Sequence, residues 1–535
     1  MRPKIALISV FHKEGIAEFA NFLINKGYII YASGGTSDFL GKVGVKNTNI
    51  TDLVGGGAIL GHKVVTLSRE IHAGLLADPN TEMNELEALK IPFIDLVCVD
   101  LYPLEDTINS PSATEADILS KTDMGGPALL ASAAKGRRIV ICDPDDRKKV
   151  MDWMEAGESE REEFVRMLAA KADYIVASYR LLSAKYHSKD KYSGITGEQV
   201  MTLRYGENAY QVPASWYKNK TKDPLALSNF KIHAGNPSFI NMTDTDRALQ
   251  SLTHIIAGMD LNFGAIPFAG VALKHGNACG ASFGETKKEV IEKLIDGNRR
   301  SIFGGSVMLN FDIGEEEAEM LVRYNIEGAK RRPLDVVIGS SLSEEAMNIL
   351  KRQNDRCFVM TCSALGALNK DSLDQSVYRR QIRGGWLTQP NYTFVFDLKN
   401  PEIKKYGSAS FGEKNEDIIL AWAIACTSNS NTISLVKDGM LIANAVGRQD
   451  RVGAVDLALK IAKDAGHDAK SATAFSDSFF PFPDAPETLL KAGVSRIVAT
   501  SGSVNDSLTT DLFKDSKDCE LIHIPDKIAR GFFGH

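Results

Sequence analysis

The chain has no C-x-x-C pair, and its cysteines are few and odd in number: Cys98, Cys142, Cys279, Cys357, Cys362, Cys426 and Cys519, seven in 535 residues. Scattered, unpaired thiols exclude a disulfide scaffold and a cysteine-clustered zinc site, and fit a reducing compartment. The ten histidines are equally dispersed and form no H-E-x-x-H, which removes a zinc-protease arrangement. No apolar run approaches the length that crosses a bilayer. The opening stretch MRPKIALISVFHKEG has too short an apolar run before His12 and Lys13 for a secretory signal. Positive charge is in deficit: 62 Lys and Arg against 68 Asp and Glu leave a formal net charge of −6. That balance argues against nucleic acid or an anionic membrane as the main partner, while permitting local basic pockets for a small anion. Fixed-period repeats and low-complexity segments are also missing. These absences leave the expectation of a soluble, cytoplasmic, globular protein without metal.

What is present is α/β alternation. At 535 residues the chain exceeds one core, and ordinary domain sizes divide it into roughly three or four. Apolar runs at Lys4 to Val10, Tyr28 to Tyr31, Asp95 to Leu101 and Arg138 to Cys142 predict buried strands. Between them, helical spacing starts at Ile16, after Thr36, and over Pro127 to Lys135 and Asp145 to Met154. The alternation predicts a parallel sheet covered by helices, with ligands at strand C-terminal ends. A long helix from Arg161 to about Lys185 and a polar stretch, Ser188 to Gln199, close this region. Beyond it, strands are expected near Ala265 to Leu273, Ser306 to Leu309, Val336 to Ile338, Cys357 to Met360 and Thr393 to Phe396. Helices are expected over Lys287 to Asp296, Glu315 to Tyr324, Ser343 to Arg352 and Asp417 to Cys426.

The densest chemistry is Lys274-His275-Gly276-Asn277-Ala278-Cys279-Gly280, directly after an apolar strand. A glycine-bent turn can bring the Lys274 ammonium and the His275 imidazole to one cleft. There they would suit proton transfer where oxyanion charge develops; a simple turn with an incidental histidine is the competing reading. Ser33-Gly34-Gly35-Thr36 is either a tight turn or a phosphate cradle at a helix N-terminus. Asp123, before Met124-Gly125-Gly126-Pro127, is either a helix cap or a working carboxylate. Lys135 reads by default as a solvated charge, and Tyr102 as a core tyrosine. Arg204-Tyr205-Gly206-Glu207-Asn208 joins a phosphate-capable guanidinium to an aromatic face, with a surface ion pair as the alternative. Phe479-Phe480-Pro481-Phe482-Pro483-Asp484 could wall a flat heteroaromatic ligand or be a core loop. Arg530-Gly531-Phe532 would need a docked C-terminus to act, since tails usually fray.

Taken in order, Leu203 to Asn208, Lys274 to Gly280, Phe303 to Gly305, Ser430-Asn431 and Phe479 to Asp484 resemble the signature of a family of bifunctional purine-biosynthesis enzymes. These enzymes combine AICAR formyltransferase and IMP cyclohydrolase, and the likeness spans essentially the whole chain. The resemblance implies an α/β fold with a methylglyoxal-synthase-like, doubly wound parallel sheet over residues 1–196. It then implies a formyltransferase unit of two cytidine-deaminase-like α/β subdomains, 197–375 and 376–535, without catalytic zinc. It further implies a homodimer with formyltransferase sites shared between subunits, AICAR and FAICAR as ligands, and 10-formyltetrahydrofolate as co-substrate. By matched positions, His275 would shuttle the amine proton, Lys274 would assist, and Asn431 would orient the carboxamide and formyl group. Arg204, Tyr205 and Arg530, with Phe532 beside them, would face the nucleotide; Arg451, Phe479, Pro481 and Asp484 would face the folate.

The first region departs further from the family. Lys13, Ser33, Gly35, Thr36, Thr66, Tyr102, Asp123 and Lys135 fit the cyclohydrolase pattern, and Lys63 stands for its arginine. The family's lysine is Val65 here, its histidine is Ser68, and its asparagine is Asp100, which puts negative charge where a nucleotide would approach. Ala209-Tyr210, Ala278 and Arg448 are lesser departures. The expected function is therefore formyl transfer to AICAR, with closure of FAICAR to IMP an open second step. A first region that binds purine nucleotide or scaffolds without turnover is the alternative. A zinc hydrolase of deaminase type is disfavoured by the missing ligand spacing.

Overall fold

The computed structural model describes residues 2–60, 64–326, 328, 330–352, 356–409 and 414–533. The chain forms two compact units, Met1–Thr196 and Gly197–His535.

The first unit is built on five parallel strands: β1 (Lys4–Ser9), β2 (Tyr28–Ala32), β3 (Thr48–Asn49), β4 (Leu96–Val99) and β5 (Ile139–Ile141). Their order is β3-β2-β1-β4-β5. The central runs are apolar on both faces because helices cover both, and Ala6, Leu7, Leu96, Val97 and Val140 are fully buried. The strand order reverses between β1 and β4, which opens a crevice beyond their C-terminal ends. The segments leaving that crevice are Val10 to Lys13 and Asp100 to Tyr102. The helix Gly125–Lys135 packs against β4 and against the long helix Arg161–His187.

The second unit begins with a hairpin, β6 (Glu198–Leu203) and β7 (Ala214–Lys218). The first half of its main sheet comprises β8 (Lys231–Ala234), β9 (Phe268–Lys274), β10 (Asn277–Gly284), β11 (Ser306–Leu309), β12 (Val336–Gly339) and β13 (Phe358–Thr361). A second hairpin follows, β14 (Val377–Ile382) and β15 (Gly385–Pro390). The other half comprises β16 (Lys404–Ala409), β17 (Ile433–Lys437), β18 (Met440–Ala445), β19 (Thr473–Ser476), β20 (Arg496–Ser501) and β21 (Asp518–Pro525). All lie in one 12-stranded sheet, β16-β21-β20-β19-β17-β18-β10-β9-β11-β12-β13-β8. Read outward from the β10–β18 junction, the two halves have the same order and the same pattern of parallel and antiparallel pairs. The unit is thus an internal repeat about that junction. The sequence shows no repeat because topology is preserved by apolar patterning, which many different residues satisfy.

The corresponding helices Phe239–Phe263 and Asn415–Cys426 pack on each other at the centre of the repeat. Every residue from Asp417 to Cys426 is buried, as expected of a helix apolar on all sides. One sequence expectation fails here, and one helix goes unpredicted. The segment Thr393 to Phe396 joins no strand; its apolar run serves packing, with Phe396 fully buried against Trp422 and Phe475. The Phe239–Phe263 helix escaped sequence reading because its polar residues, including Asp244, Thr245 and His254, are buried as well, which blurs the amphipathic period.

His254 is fully enclosed beside Tyr392 and Trp422, with Nδ1 2.8 Å from the Gln250 carbonyl. Burial pushes its pKa down from 6.5 to about 4. The unfolded chain therefore takes up this proton first as pH falls. Stability should be full above about 6.5 and decline until about 4, by up to about 3 kcal/mol. His254→Phe should flatten that part of the profile in urea unfolding followed against pH. An unchanged slope between those limits would show that His254 is not responsible.

Candidate active sites

In the second unit, Lys274 ends β9 and Asn277 begins β10, so only His275 and Gly276 form the turn. The expected single turn over Lys274 to Gly280 is therefore shorter: Asn277 to Gly280 pair as strand. His275 has φ 55° and Gly276 φ 75°, the left-handed pair that a two-residue hairpin requires. This conformation leaves the turn amides facing away from the sheet ladder. Asp244, on the Phe239–Phe263 helix, supplies the acceptor: its Oδ1 takes the Gly276 N–H at 2.7 Å. Burial raises the Asp244 carboxyl, while the amides of Gly276 and His275 and the His275 charge favour ionisation.

The repeat contains the same device. Asp438 and Gly439 have φ 55° and 74° between β17 and β18. Asp417 accepts the Gly439 N–H at 2.7 Å and the Asp438 N–H at 3.0 Å. Here the turn side chain is a carboxylate paired with Lys414, not an imidazole. The backbone device is shared; the imidazole is not.

Around His275 the tertiary structure assembles several of the predicted residues. Lys274 Nζ donates to the Phe303 carbonyl at 2.8 Å, joining the Phe303 to Gly305 block to the turn. Asn277 Oδ1 accepts the Asn429 N–H at 3.0 Å, and its Nδ2 donates to the His275 carbonyl at 3.2 Å. The Asn431 loop is thereby fixed beside the His275 hairpin. The Asn431 side chain donates to the Arg448 carbonyl at 2.9 Å. Arg448 acts there through its main chain, with its side chain exposed, so this contact does not depend on the residue type.

Arg204 and Tyr205 are stitched to the start of the same Asp244-bearing helix. The Arg204 N–H donates to the Pro237 carbonyl at 2.9 Å, and the Phe239 N–H to the Tyr205 carbonyl at 3.0 Å. The Arg204 guanidinium lies 5.0 Å from the Tyr205 ring centre. No carboxylate pairs with it among the described residues, which removes the surface ion pair as its explanation.

The Phe479 to Asp484 loop is anchored by Phe480, 1% exposed, while Phe479 is half-buried and Pro481 and Asp484 are exposed. Asp484 begins the helix Asp484–Lys491, where its carboxylate accepts the Ala485 N–H at 2.8 Å. Arg530 stands 5.6 Å over the Phe479 ring and pairs with Asp526 at 2.7 Å. The C-terminal segment is docked: the Gly531 N–H meets the Asp477 carbonyl at 3.3 Å and the Phe533 N–H the Ser428 carbonyl at 3.1 Å. Phe532 lies between them, half-buried. Arg451 is 8% exposed and paired with Asp477, itself fully buried.

In the first unit, Lys13 Nζ donates to the Val10 carbonyl and lies 3.3 Å from Thr36 Oγ1. Burial lowers the Lys13 pKa, against the pull of Asp100. Thr36 Oγ1 also accepts the Val10 N–H at 3.1 Å, which welds the loop after β1 to the helix Gly34–Lys42. Ser33 caps that helix by position without a side-chain cap bond.

Asp123 accepts the Gly126 N–H at 2.9 Å, as the capping reading expected. Burial nonetheless raises its carboxyl, with Tyr102 and Gly125 amides opposing. Tyr102 is 43% exposed, and burial together with the Asp123 charge raises its phenol. Thr66 lies against Gly125, its Oγ1 2.6 Å from where a Cβ would stand. Lys135 ends the same helix that Gly125 begins, about 15 Å along the axis, so the structure does not join it to Tyr102 and Asp123 within this unit. Lys63 lies outside the described residues.

Asp100 corrects an expectation. It does not confront an incoming nucleotide: at 8% exposure it accepts the Phe11 and His12 amides and pairs with Arg147 at 3.4 Å. A buried carboxylate requires such compensation, and Arg147, 6% exposed, provides it while also donating to the Glu14 carbonyl at 2.7 Å. Ser68 likewise has a local role, capping the helix Arg69–Leu76 through the Ile71 N–H at 3.2 Å.

The sequence model of the AICARFT/IMPCHase bienzyme matches residues 133–461, and that of the MGS-like domain matches residues 15–128. A protein of Anoxybacillus flavithermus named bifunctional purine biosynthesis protein PurH is 33% identical over 520 residues, covering 94% of each chain. The chain belongs to the AICARFT/IMPCHase bienzyme family. Proteins of the same name from Halalkalibacterium halodurans, at 33% identity and 94% of each chain, and Thermoanaerobacter, at 32% with 95% of this chain and 96% of the relative, are similar throughout.

Family membership accounts for the motif order, but not for Asp244, Asp477, Arg147 or Tyr179, which sequence reasoning missed. They lie outside the motifs, and nothing in their spacing distinguishes them from surface charges or core tyrosines. Asn277 lies within a recognised motif and Asn429 adjoins another, and their pairing is a tertiary fact. Among the described residues, no group of three or more His, Cys, Asp or Glu side chains is placed to hold a metal, and no helix is long and apolar enough to cross a membrane.

If the two hairpin turns depend on their carboxylates, Asp244→Ala and Asp417→Ala should each lower unfolding stability by about 1–3 kcal/mol. Urea denaturation of the full chain measures this. Neutral effects at both positions would mean that the turns hold themselves.

Proposed function

We propose that this protein is an AICAR formyltransferase of purine biosynthesis, using 10-formyltetrahydrofolate as co-substrate and no catalytic metal. The observation that carries the reading is the 3.0 Å bond from Asn429 N–H to Asn277 Oδ1. It ties together the segments that carry the Lys274-His275 and Ser430-Asn431 motifs, which are distant in sequence. The aromatic amine of AICAR is a weak nucleophile and needs help as it attacks the formyl carbon. His275, exposed on its turn, takes the amine proton; Lys274 and the Asn431 amide oppose charge on the tetrahedral oxygen. The new nitrogen–carbon bond forms as the bond to folate nitrogen breaks, and that nitrogen leaves protonated. Arg204, Tyr205, Arg530 and Phe532 bind the nucleotide, and Arg451, Phe479, Pro481 and Asp484 the folate. In this reading Arg451 works through its pair with Asp477, not as a free cation. Residues 197–375 and 376–535 form the two subdomains, and a cytoplasmic homodimer shares the sites.

For the first unit we propose closure of FAICAR to IMP, with Lys13, Ser33, Gly35, Thr36 and Lys63 toward the phosphate. Thr66, Tyr102 and Asp123 stand toward the base, and Lys135 is retained from the family pattern. A second reading, nucleotide binding without turnover, is favoured by Val65, which packs its side chain on the apolar core and carries no charge.

His275→Ala should reduce formyl transfer from 10-formyltetrahydrofolate to AICAR by about 100-fold or more, with thermal stability retained. Transfer at the wild-type rate would refute the assignment of the proton shuttle. Separately, purified protein given FAICAR should form IMP above the spontaneous rate; none formed would leave the binding reading for the first unit.

A further inference from the structure

The first unit has a cation beside Tyr102 that lies outside the motifs matched in the sequence. Lys121 follows the helix Glu115–Ser120, and its Nζ lies 5.3 Å from the Phe11 ring centre and 5.6 Å from that of Tyr102. Those rings meet edge to face at 5.6 Å, and both reach solvent, Phe11 at 36% and Tyr102 at 43% exposure. No carboxylate pairs with Lys121 among the described residues. The backbone that presents it is fixed from below by Tyr179, whose hydroxyl donates to the Lys121 carbonyl at 2.9 Å and accepts the Asp123 N–H at 2.7 Å. One buried phenol thus sets both Lys121 and Asp123. Across the cleft, the segment containing Val65 reaches the same turn through Thr66 against Gly125.

We propose that Lys121 supplies the positive charge that Val65 lacks, contacting the base end of a purine-type nucleotide beside Tyr102 and Asp123. The inference rests on the reading of the first unit as a ring-closing site. An ammonium over two ring faces, with no carboxylate to neutralise it, is held in place while keeping its charge for an incoming oxygen. In that reading Lys13, beside Thr36 of the Gly34–Lys42 helix, serves the phosphate, so the two cations divide the ligand between them. In ring closure the carboxamide nitrogen of FAICAR attacks the formyl carbon, forming the new nitrogen–carbon bond. Negative charge gathers on the formyl oxygen, where Lys121 opposes it. One proton passes from the carboxamide nitrogen to that oxygen. A second leaves the formamide nitrogen as the carbon–oxygen bond breaks and water departs.

The test compares full-length wild type, Lys121→Met and Lys121→Arg in FAICAR-to-IMP conversion and in IMP binding by calorimetry, with thermal unfolding as the check on folding. Lys121→Met should slow conversion by about 100-fold or more and weaken IMP binding, with an unchanged unfolding midpoint. Lys121→Arg, which keeps the charge, should recover part of both. Conversion and binding by Lys121→Met within twofold of wild type would overturn the proposal while leaving the ring-closing reading intact. A wild type that neither converts FAICAR nor binds IMP would overturn that reading and this proposal with it.

Discussion

The second unit depends on a carboxylate meeting the unpaired amides of a tight turn. A two-residue hairpin with both φ angles positive turns its N–H groups away from the ladder, and buried amides left so are costly. Asp244 and Asp417 answer this need at corresponding places in the two halves. Each projects from a central helix, and those helices pack on each other. The turns are therefore tied to the middle of the core, not to the edge of a sheet. His275 inherits this rigidity: an exposed imidazole sits on backbone held from beneath by a buried acid.

Comparing the two turns separates architecture from chemistry. Positive φ, a following glycine and a helix carboxylate are common to both, so none of them marks a reactive site. What sets one turn apart is the company its side chain keeps. His275 has Lys274 on the Phe303 carbonyl and Asn277 on the Asn429 amide; Asp438 has an ion pair with Lys414. In the first unit the same distinction separates Asp100 from Asp123. Both are largely buried carboxylates, but Asp100 is matched by Arg147 and two amides, whereas Asp123 has a carboxyl raised by burial next to an accessible tyrosine. The former is locked into the loop, and the latter can exchange a proton nearer neutral pH.

Much of this was legible without coordinates. The parallel sheet of the first unit follows from its short apolar runs, and β11, β12 and the helix Lys287–Asp296 lie where spacing puts them. The glycine and proline punctuation located the turn at His275 and the Phe479 loop. The failures were of another kind. Phe394 and Phe396 read as strand because burial, not pairing, selected them. The helix Phe239–Phe263 was hidden by its buried polar residues, several of which hold the site together. Asp100 looked like a charge presented to ligand because its partner Arg147 lies far along the chain.

The sequence by itself determined the class of fold, the separation of the first region from the rest, and the ordered motifs that carry family membership. These are local signals: periodicity, turn residues and short blocks act between covalent neighbours. Tertiary structure decided which turn of the repeat would stand beside the Asn431 loop, which carboxylate would be neutralised, and which cation would stand over Tyr102. Those outcomes depend on strand order and helix packing, which bring together groups from distant segments. A change in one segment can be balanced by a residue in another, and spacing along the chain does not record that exchange.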